Sequence, residues 1–117
     1  MPVDLPPVRG DPVELREVLI NLLRNAIDAC AGGGDVTISA ERDGDRIALV
    51  VADSGTGMDR TTQDRLFTPL FSTKGERGSG LGLASCFAII RRHRGSIDVS
   101  STPGKGSTFT VRLRTLP

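Results

Sequence analysis

Residues 11–34 read DPVELREVLINLLRNAIDACAGGG and residues 36–58 read VTISAERDGDRIALVVADSGTGM; between them they decide the architecture. Asp11-Pro12 is an N-cap followed by Pro at the first helical position, and Glu14, three residues after Asp11, completes a capping-box-like start. Leu15, Val18, Leu19, Leu22, Leu23, Ala26, Ile27 and Cys30 recur at helical spacing until Gly32-Gly33-Gly34 stops the element. Val36, Ile38 and Ala40 then alternate with polar residues, and Asp43-Gly44 marks a turn. Ile47, Leu49 and Val51 alternate again with small apolar residues between them, which predicts a hairpin whose second strand is the more buried.

Downstream, residues 53–82 are punctuated by glycine, with room for a short helix near Asp59 to Leu66 before Pro69. A second long helix is expected from about Gly80 to Arg94. Leu83, Cys86, Phe87 and Ile90 line one side, Arg91, Arg92 and Arg94 fill its last turn, and Gly95 stops it. Ile97 and Val99, then Phe109, Val111 and Leu113, predict two more strands joined by the turn-rich segment Thr102 to Gly106. Two helices and two hairpins grouped in this way imply an α+β fold, with helices packed on one face of a mixed sheet.

The chain has 117 residues, 38% hydrophobic and 25% charged, the profile of a single domain spanning 1–117. Its net charge is +1, so bulk charge recruits neither nucleic acid nor an anionic membrane. Aromatics are 3%, all of them Phe, which argues against a base-stacking surface. The longest wholly apolar run, Ile47 to Ala52, falls far short of the roughly 20 residues of a membrane helix. The opening MPVDLPPVRG lacks the pattern of a secretion signal. Cys30 and Cys86 sit in apolar helical patterns and read as small buried hydrophobes, in keeping with a cytoplasmic protein.

Four places break the structural pattern with chemistry. On the first helix Asn21, Asn25 and Asp28 form a stripe beside the apolar face. It offers carbonyl oxygens of the kind Mg²⁺ takes in small number, or else it is a polar solvated flank. In Asp53-Ser54-Gly55-Thr56-Gly57-Met58 the carboxylate has the parity of Ile47, Leu49 and Val51. It therefore points to the buried side, as an acceptor for an exocyclic amine such as that of adenine, or as part of a strand-ending turn. Phe67 and Phe71 flank Pro69 and are followed by Ser72, Thr73 and Lys74: a movable hydrophobic lid, or simple loop anchoring. Gly78-Ser79-Gly80-Leu81-Gly82-Leu83 opens the second helix, where free N–H groups and the positive end of the helix dipole can cradle a phosphate.

A metal-oxygen stripe, a buried amine acceptor, a lid and a phosphate cradle together describe a nucleoside triphosphate site. In this order they resemble the ATP-binding catalytic domain of sensor histidine kinases, within the superfamily of DNA gyrase, Hsp90 and MutL, over nearly the whole chain. Asn21 to Ala26 is similar to the N box, Asp53 to Met58 to the G1 box, Phe67 to Lys74 to the F box and Gly78 to Leu83 to the G2 box. The Thr68 to Lys74 segment resembles the nitrogen-regulator and dicarboxylate-sensor kinases most.

The resemblance implies a Bergerat-type two-layer sandwich, a mixed sheet of about five strands with about three helices on one face. It implies ATP and Mg²⁺ as cofactors. Asn25 would bind Mg²⁺, Asn21 would support phosphates or metal, and Asp53 would accept from the adenine amine. Gly55 and Gly57 would shape the base pocket beside Met58. Phe67, Phe71 and Thr73 fall in the lid, with Lys74 at the terminal phosphate. Gly80, Leu81 and Gly82, with Gly78 before them, would present backbone N–H groups to the phosphates. Ser107 or Thr108 would join the adenine contact through a water.

Gyrase-type ATPases carry a Glu as general base where this chain has Asn21, so efficient hydrolysis by this domain alone is not expected. The acceptor in such kinases is a His on a separate dimerisation domain, absent here. The one His of the chain, His93, lies among arginines at a helix end and reads as a solvated helix-terminal residue. The implied partners are that phosphoacceptor domain and a downstream response regulator, without nucleic acid or membrane contact by this domain, whether or not the parent protein is membrane-anchored. An anti-sigma-factor-type serine kinase, from which the F box differs, and a non-catalytic ATP/ADP-sensing module are the alternatives.

Overall fold

The computed structural model describes residues 10–64 and 82–114. Helix α1 (Pro12–Ala29) begins where the sequence caps it. The Asp11 carboxylate accepts from the Val13 and Glu14 N–H groups at 2.9 and 3.4 Å, satisfying donors that a first helical turn leaves without partners. Val18, Leu22 and Ala26, spaced by one turn, are buried, so one face of α1 lies on the sheet.

The hairpin that follows is β1 (Val36–Asp43) and β2 (Arg46–Asp53). A short helix α2 (Arg60–Asp64) is capped by Asp59, whose carboxylate accepts from the Thr62 N–H at 2.7 Å. Helix α3 (Gly82–Arg92) leads into a second hairpin, β3 (Ser96–Thr102) and β4 (Gly106–Arg114).

The strands lie in the order β1-β2-β4-β3, and every neighbouring pair is antiparallel. The grouping of helices and hairpins predicts a mixed sheet, and the family resemblance implies one of about five strands. Among the described residues there are four, and none runs parallel to its neighbour. The crossover through α2 and α3 does deliver β3 in the direction of β2, but at the outer edge, and β4 turns back into the place between them.

That arrangement aligns the core. Ile47, Leu49 and Val51 sit opposite Leu113, Val111 and Phe109, with Ile97 and Val99 opposite Val111 and Phe109 on the far side. Leu22 and Val18 of α1 and Cys86, Ile89 and Ile90 of α3 close over them. Removing a side chain of this size from water contributes about 1.5–3 kcal/mol. Ile38, expected on the buried side of β1, is 39% exposed: β1 is an edge strand, and Ala40 is its one buried residue.

The two long helices run antiparallel. At one end Glu14 pairs with Arg92, and the Asp11 N–H donates to His93 Nε2 at 3.0 Å. Further along, the Cys86 thiol donates to the Val18 carbonyl at 3.8 Å. His93 is therefore not the solvated residue its sequence neighbours suggest. It is partly buried, with Nδ1 2.7 Å from the Ile89 carbonyl, and its two partners assign the ring proton to Nδ1. The α3 stop also differs by one position, because Arg94 (φ 59), not Gly95, takes the left-handed conformation and the Gly95 N–H closes on the Ile90 carbonyl at 2.9 Å. Cys86 is buried as expected. Cys30 is not fully covered, because it is the C-cap of α1, where the chain leaves the core.

Candidate functional site

One end of the molecule collects several of the described residues that the sequence singled out. Asp53 is the last residue of β2, on the side the helices cover, and is 8% exposed. Its Oδ1 accepts the Gly55 N–H at 2.9 Å, so the carboxylate folds the following loop back over itself. Directly opposite, in β4, stands Ser107, 5% exposed. Thr108 pairs with Ala52 and so belongs to the other face of the sheet. Register thus brings Ser107, and not Thr108, beside Asp53.

The Asp53–Met58 loop docks on the end of α1. The Thr56 N–H donates to the Ala29 carbonyl at 3.1 Å and the Ser54 N–H to the Asp35 carbonyl at 3.0 Å. A side chain on Gly55 would meet the Ala29 carbonyl oxygen at 2.3 Å, and one on Gly57 (φ +71) would meet that of Thr102 at 2.1 Å. Glycine is required at both positions, though the close approach is to the protein's own backbone.

Asn21, Asn25 and Ala29 are one turn apart along α1. The ridge ends under the loop at Ala29. At Asn21 it meets α3, where the amide hydrogen-bonds the Cys86 thiol. The intervening Asn25 is partly buried. Because the helices are antiparallel, with Val18 near Cys86, the turn of α1 that carries Asn25 faces the start of α3 at Gly82. The N-terminal N–H groups of α3 and its dipole therefore point to the end of the molecule where Asp53 lies. Asp28 lies on the exposed side of the helix. Phe67, Phe71, Thr73, Lys74, Gly78, Gly80 and Leu81 lie outside the described residues.

A second layer of polar contacts was missed by the sequence reading. The Met58 N–H donates to Ser101 Oγ at 2.8 Å, and Ser101 Oγ lies 2.8 Å from Ser107 Oγ and 3.1 Å from the Gly106 carbonyl oxygen. Gln63 of α2 donates through Nε2 to the carbonyls of Met58 and Ser101 at 3.0 and 3.1 Å. Ser101 has the parity of Val99 and faces Ser107 across β3 and β4; only that pairing, invisible in a single sequence, reveals it.

A row of buried polar groups at the end of a sheet, under a glycine-rich loop and opposite a helix N-terminus, is the setting in which a nucleotide is held. The family described as histidine kinase-, DNA gyrase B- and HSP90-like ATPase matches residues 10–117. The chain belongs to this family.

Among relatives of this ATPase domain is the sensor histidine kinase ZraS of Escherichia coli K12, 45% identical over 93% of this chain and 23% of ZraS. Sporulation kinase E of Bacillus subtilis is 40% identical over 94% of this chain and 15% of its own length. Among solved structures, the nucleotide-free catalytic domain of histidine kinase ThkA superposes with a TM-score of 0.82 at 32% identity, over 94% of this chain and 73% of that one. Full-length ShkA in complex with AMPPNP gives 0.84 at 30% identity, over 96% of this chain and 24% of ShkA. The chain thus spans about a quarter or less of these curated relatives and corresponds to an ATP-binding catalytic domain of the sensor histidine kinase type. No helix among the described residues is long and apolar enough to cross a membrane.

Proposed function

We propose that this domain binds Mg²⁺-ATP at the Asp53 end of the sheet and transfers the γ-phosphate to a histidine of a separate dimerisation domain, from which a response regulator is phosphorylated. The observation that carries the reading is the Asp53 carboxylate, buried beside Ser107 at the end of β2. A buried acceptor at the end of a strand matches the exocyclic amine of adenine, while the 6-oxo group of guanine would be repelled. Ser107, on the same face, is the better of the two hydroxyls for the contact with the ring.

The donor set also fits the metal. Among the described residues no group of three or more His, Cys, Asp or Glu side chains could hold an ion. Asn25 would offer its amide oxygen as one ligand, and phosphate oxygens and waters would supply the others, as Mg²⁺ commonly takes few ligands from protein. When bound, the metal neutralises phosphate charge. The chain's own part is to orient the nucleotide through Asp53, to support phosphates from the α3 N-terminus and Asn21, and to hold the terminal phosphate with Lys74. His93 is no acceptor in this scheme, since both of its ring nitrogens have backbone partners. ZraS and ThkA are histidine kinases by name, which favours His over Ser as the group phosphorylated.

The test is calorimetric titration of the 117-residue chain with a non-hydrolysable ATP analogue, with and without Mg²⁺, against GTP. Adenine-selective binding strengthened by Mg²⁺ is expected. Asp53→Asn should weaken it at least tenfold by turning an acceptor into a partial donor, whereas Asn25→Ala should remove the Mg²⁺ dependence alone. Unchanged affinity in Asp53→Asn overturns the adenine assignment, and equal loss with and without metal in Asn25→Ala overturns the metal assignment.

A further inference from the structure

Ser101 Oγ occupies a position with more neighbours than one hydroxyl can serve as a donor. It accepts the Met58 N–H at 2.8 Å and lies 3.1 Å from the Gly106 carbonyl and 2.8 Å from Ser107 Oγ. A hydroxyl has a single proton. A carbonyl can only accept, so Ser101 gives its proton to Gly106, and the Ser107 hydroxyl donates to Ser101 and keeps its lone pairs for the other side. The two hydroxyls form a relay that runs from Ser107 through Ser101 to Gly106, and its direction leaves Ser107 presenting a lone pair.

Adenine presents an amine donor beside a ring-nitrogen acceptor. With Asp53 as the acceptor for the amine, the ring nitrogen needs a donor next to it, which a water held by Ser107 supplies. From this we propose that Ser101 and Gln63 are positioning residues for base selection: Ser101 accepts the Ser107 proton and so leaves Ser107 to hold, by its lone pairs, a water that donates to the ring nitrogen. The proposal rests on the adenine reading of Asp53.

Gln63 holds the relay in register. Its Nε2 bridges the carbonyls of Met58 and Ser101, tying α2 and the loop after β2 to the end of β3. The neighbouring backbone agrees, with the Gly104 N–H donating to the Thr56 carbonyl at 2.7 Å. Met58 is thus gripped at its N–H by Ser101 and at its carbonyl by Gln63, and neither residue need touch the nucleotide to act. A water reaching Ser107 would meet a hydroxyl whose proton direction has already been fixed from behind.

The experiment measures the affinities of the 117-residue chain for ADP and for GDP, with thermal melting as a control for folding. Ser101→Ala deprives both the Met58 N–H and the Ser107 hydroxyl of their acceptor. It is expected to weaken ADP about tenfold while leaving the already weak GDP little changed, so that the ratio of the two falls. Ser101→Thr keeps a hydroxyl on a strand that accommodates threonine, and should restore the ratio. Gln63→Ala, on the margin of the fold, should lower ADP affinity several-fold. Gln63→Glu should do so more strongly, because it sets a carboxylate against two carbonyl oxygens. A wild-type chain that binds no ADP overturns the adenine reading itself. A wild-type chain that binds ADP, with Ser101→Ala or Gln63→Ala keeping both its affinity and its base ratio, overturns the relay alone. Should Ser101→Ala fail to fold, the two Gln63 variants decide.

Discussion

Cys86 holds its proton tightly because burial pushes its thiol up to about 11 from the ordinary 9.0, with the hydrogen bond from Asn21 opposing the rise and the charge of Glu17 adding to it. The unfolded chain releases that proton more readily than the folded one. This contribution to stability is therefore fully present below about 9 and is lost as the pH rises through about 11. The thiolate is the reactive form, so at pH 8 iodoacetamide should label Cys30 within minutes and leave Cys86 unmodified until the protein unfolds, as peptide mass spectrometry would read. Equal labelling of both in the folded chain would contradict the burial. At this scale the sequence is legible where a side chain's direction follows from its neighbours along the chain. The parity of Asp53 with Ile47, Leu49 and Val51 assigned it to the covered face, where it lies. Choosing between Ser107 and Thr108, or finding Ser101, needs the pairing of strands far apart in sequence, and a single sequence carries no signal of that.

Between elements, the N-terminus of α1 and the C-terminus of α3 are clasped by a neutral contact and a charged one. The pair Arg92–Glu14 is more than half exposed on the arginine side, and solvent screens most of its attraction. The His93 ring is partly buried against Ile89 and satisfies the Asp11 N–H, one of the donors that a helix start leaves over. His93→Ala is expected to cost about 1–2 kcal/mol and to lower the melting temperature by several degrees. Glu14→Ala should cost under about 1 kcal/mol. Equal shifts in the two melting curves would reverse that ranking. Both helices were readable because caps and period are local: Asp11, Pro12 and Glu14 mark one start, and Arg91 to Gly95 mark one end. The role of His93 was not, since its partner is 82 residues away. Nor was the exposure of Ile38, which depends on β1 being an edge strand rather than on its alternating pattern.

Over the whole molecule the chain repeats one order twice, a helix followed by a hairpin: α1-β1-β2, then α3-β3-β4. The halves join where β2 lies against β4 and α1 against α3. The sequence shows two groups of elements but not which strands become central, and the all-antiparallel sheet follows from that choice. Asp53 comes from the first half and Ser107 from the second, so neither half alone holds both residues of the proposed base contact. The domain can therefore be regarded as a heterodimer of its own fragments. Residues 1–64 and 65–117, produced as separate polypeptides, should be largely unstructured alone and regain circular dichroism and ADP binding when mixed. Nucleotide, which binds only the joined form, should tighten their association by mass action. The fold would then serve as a split reporter, its two pieces brought together by the ligand they share.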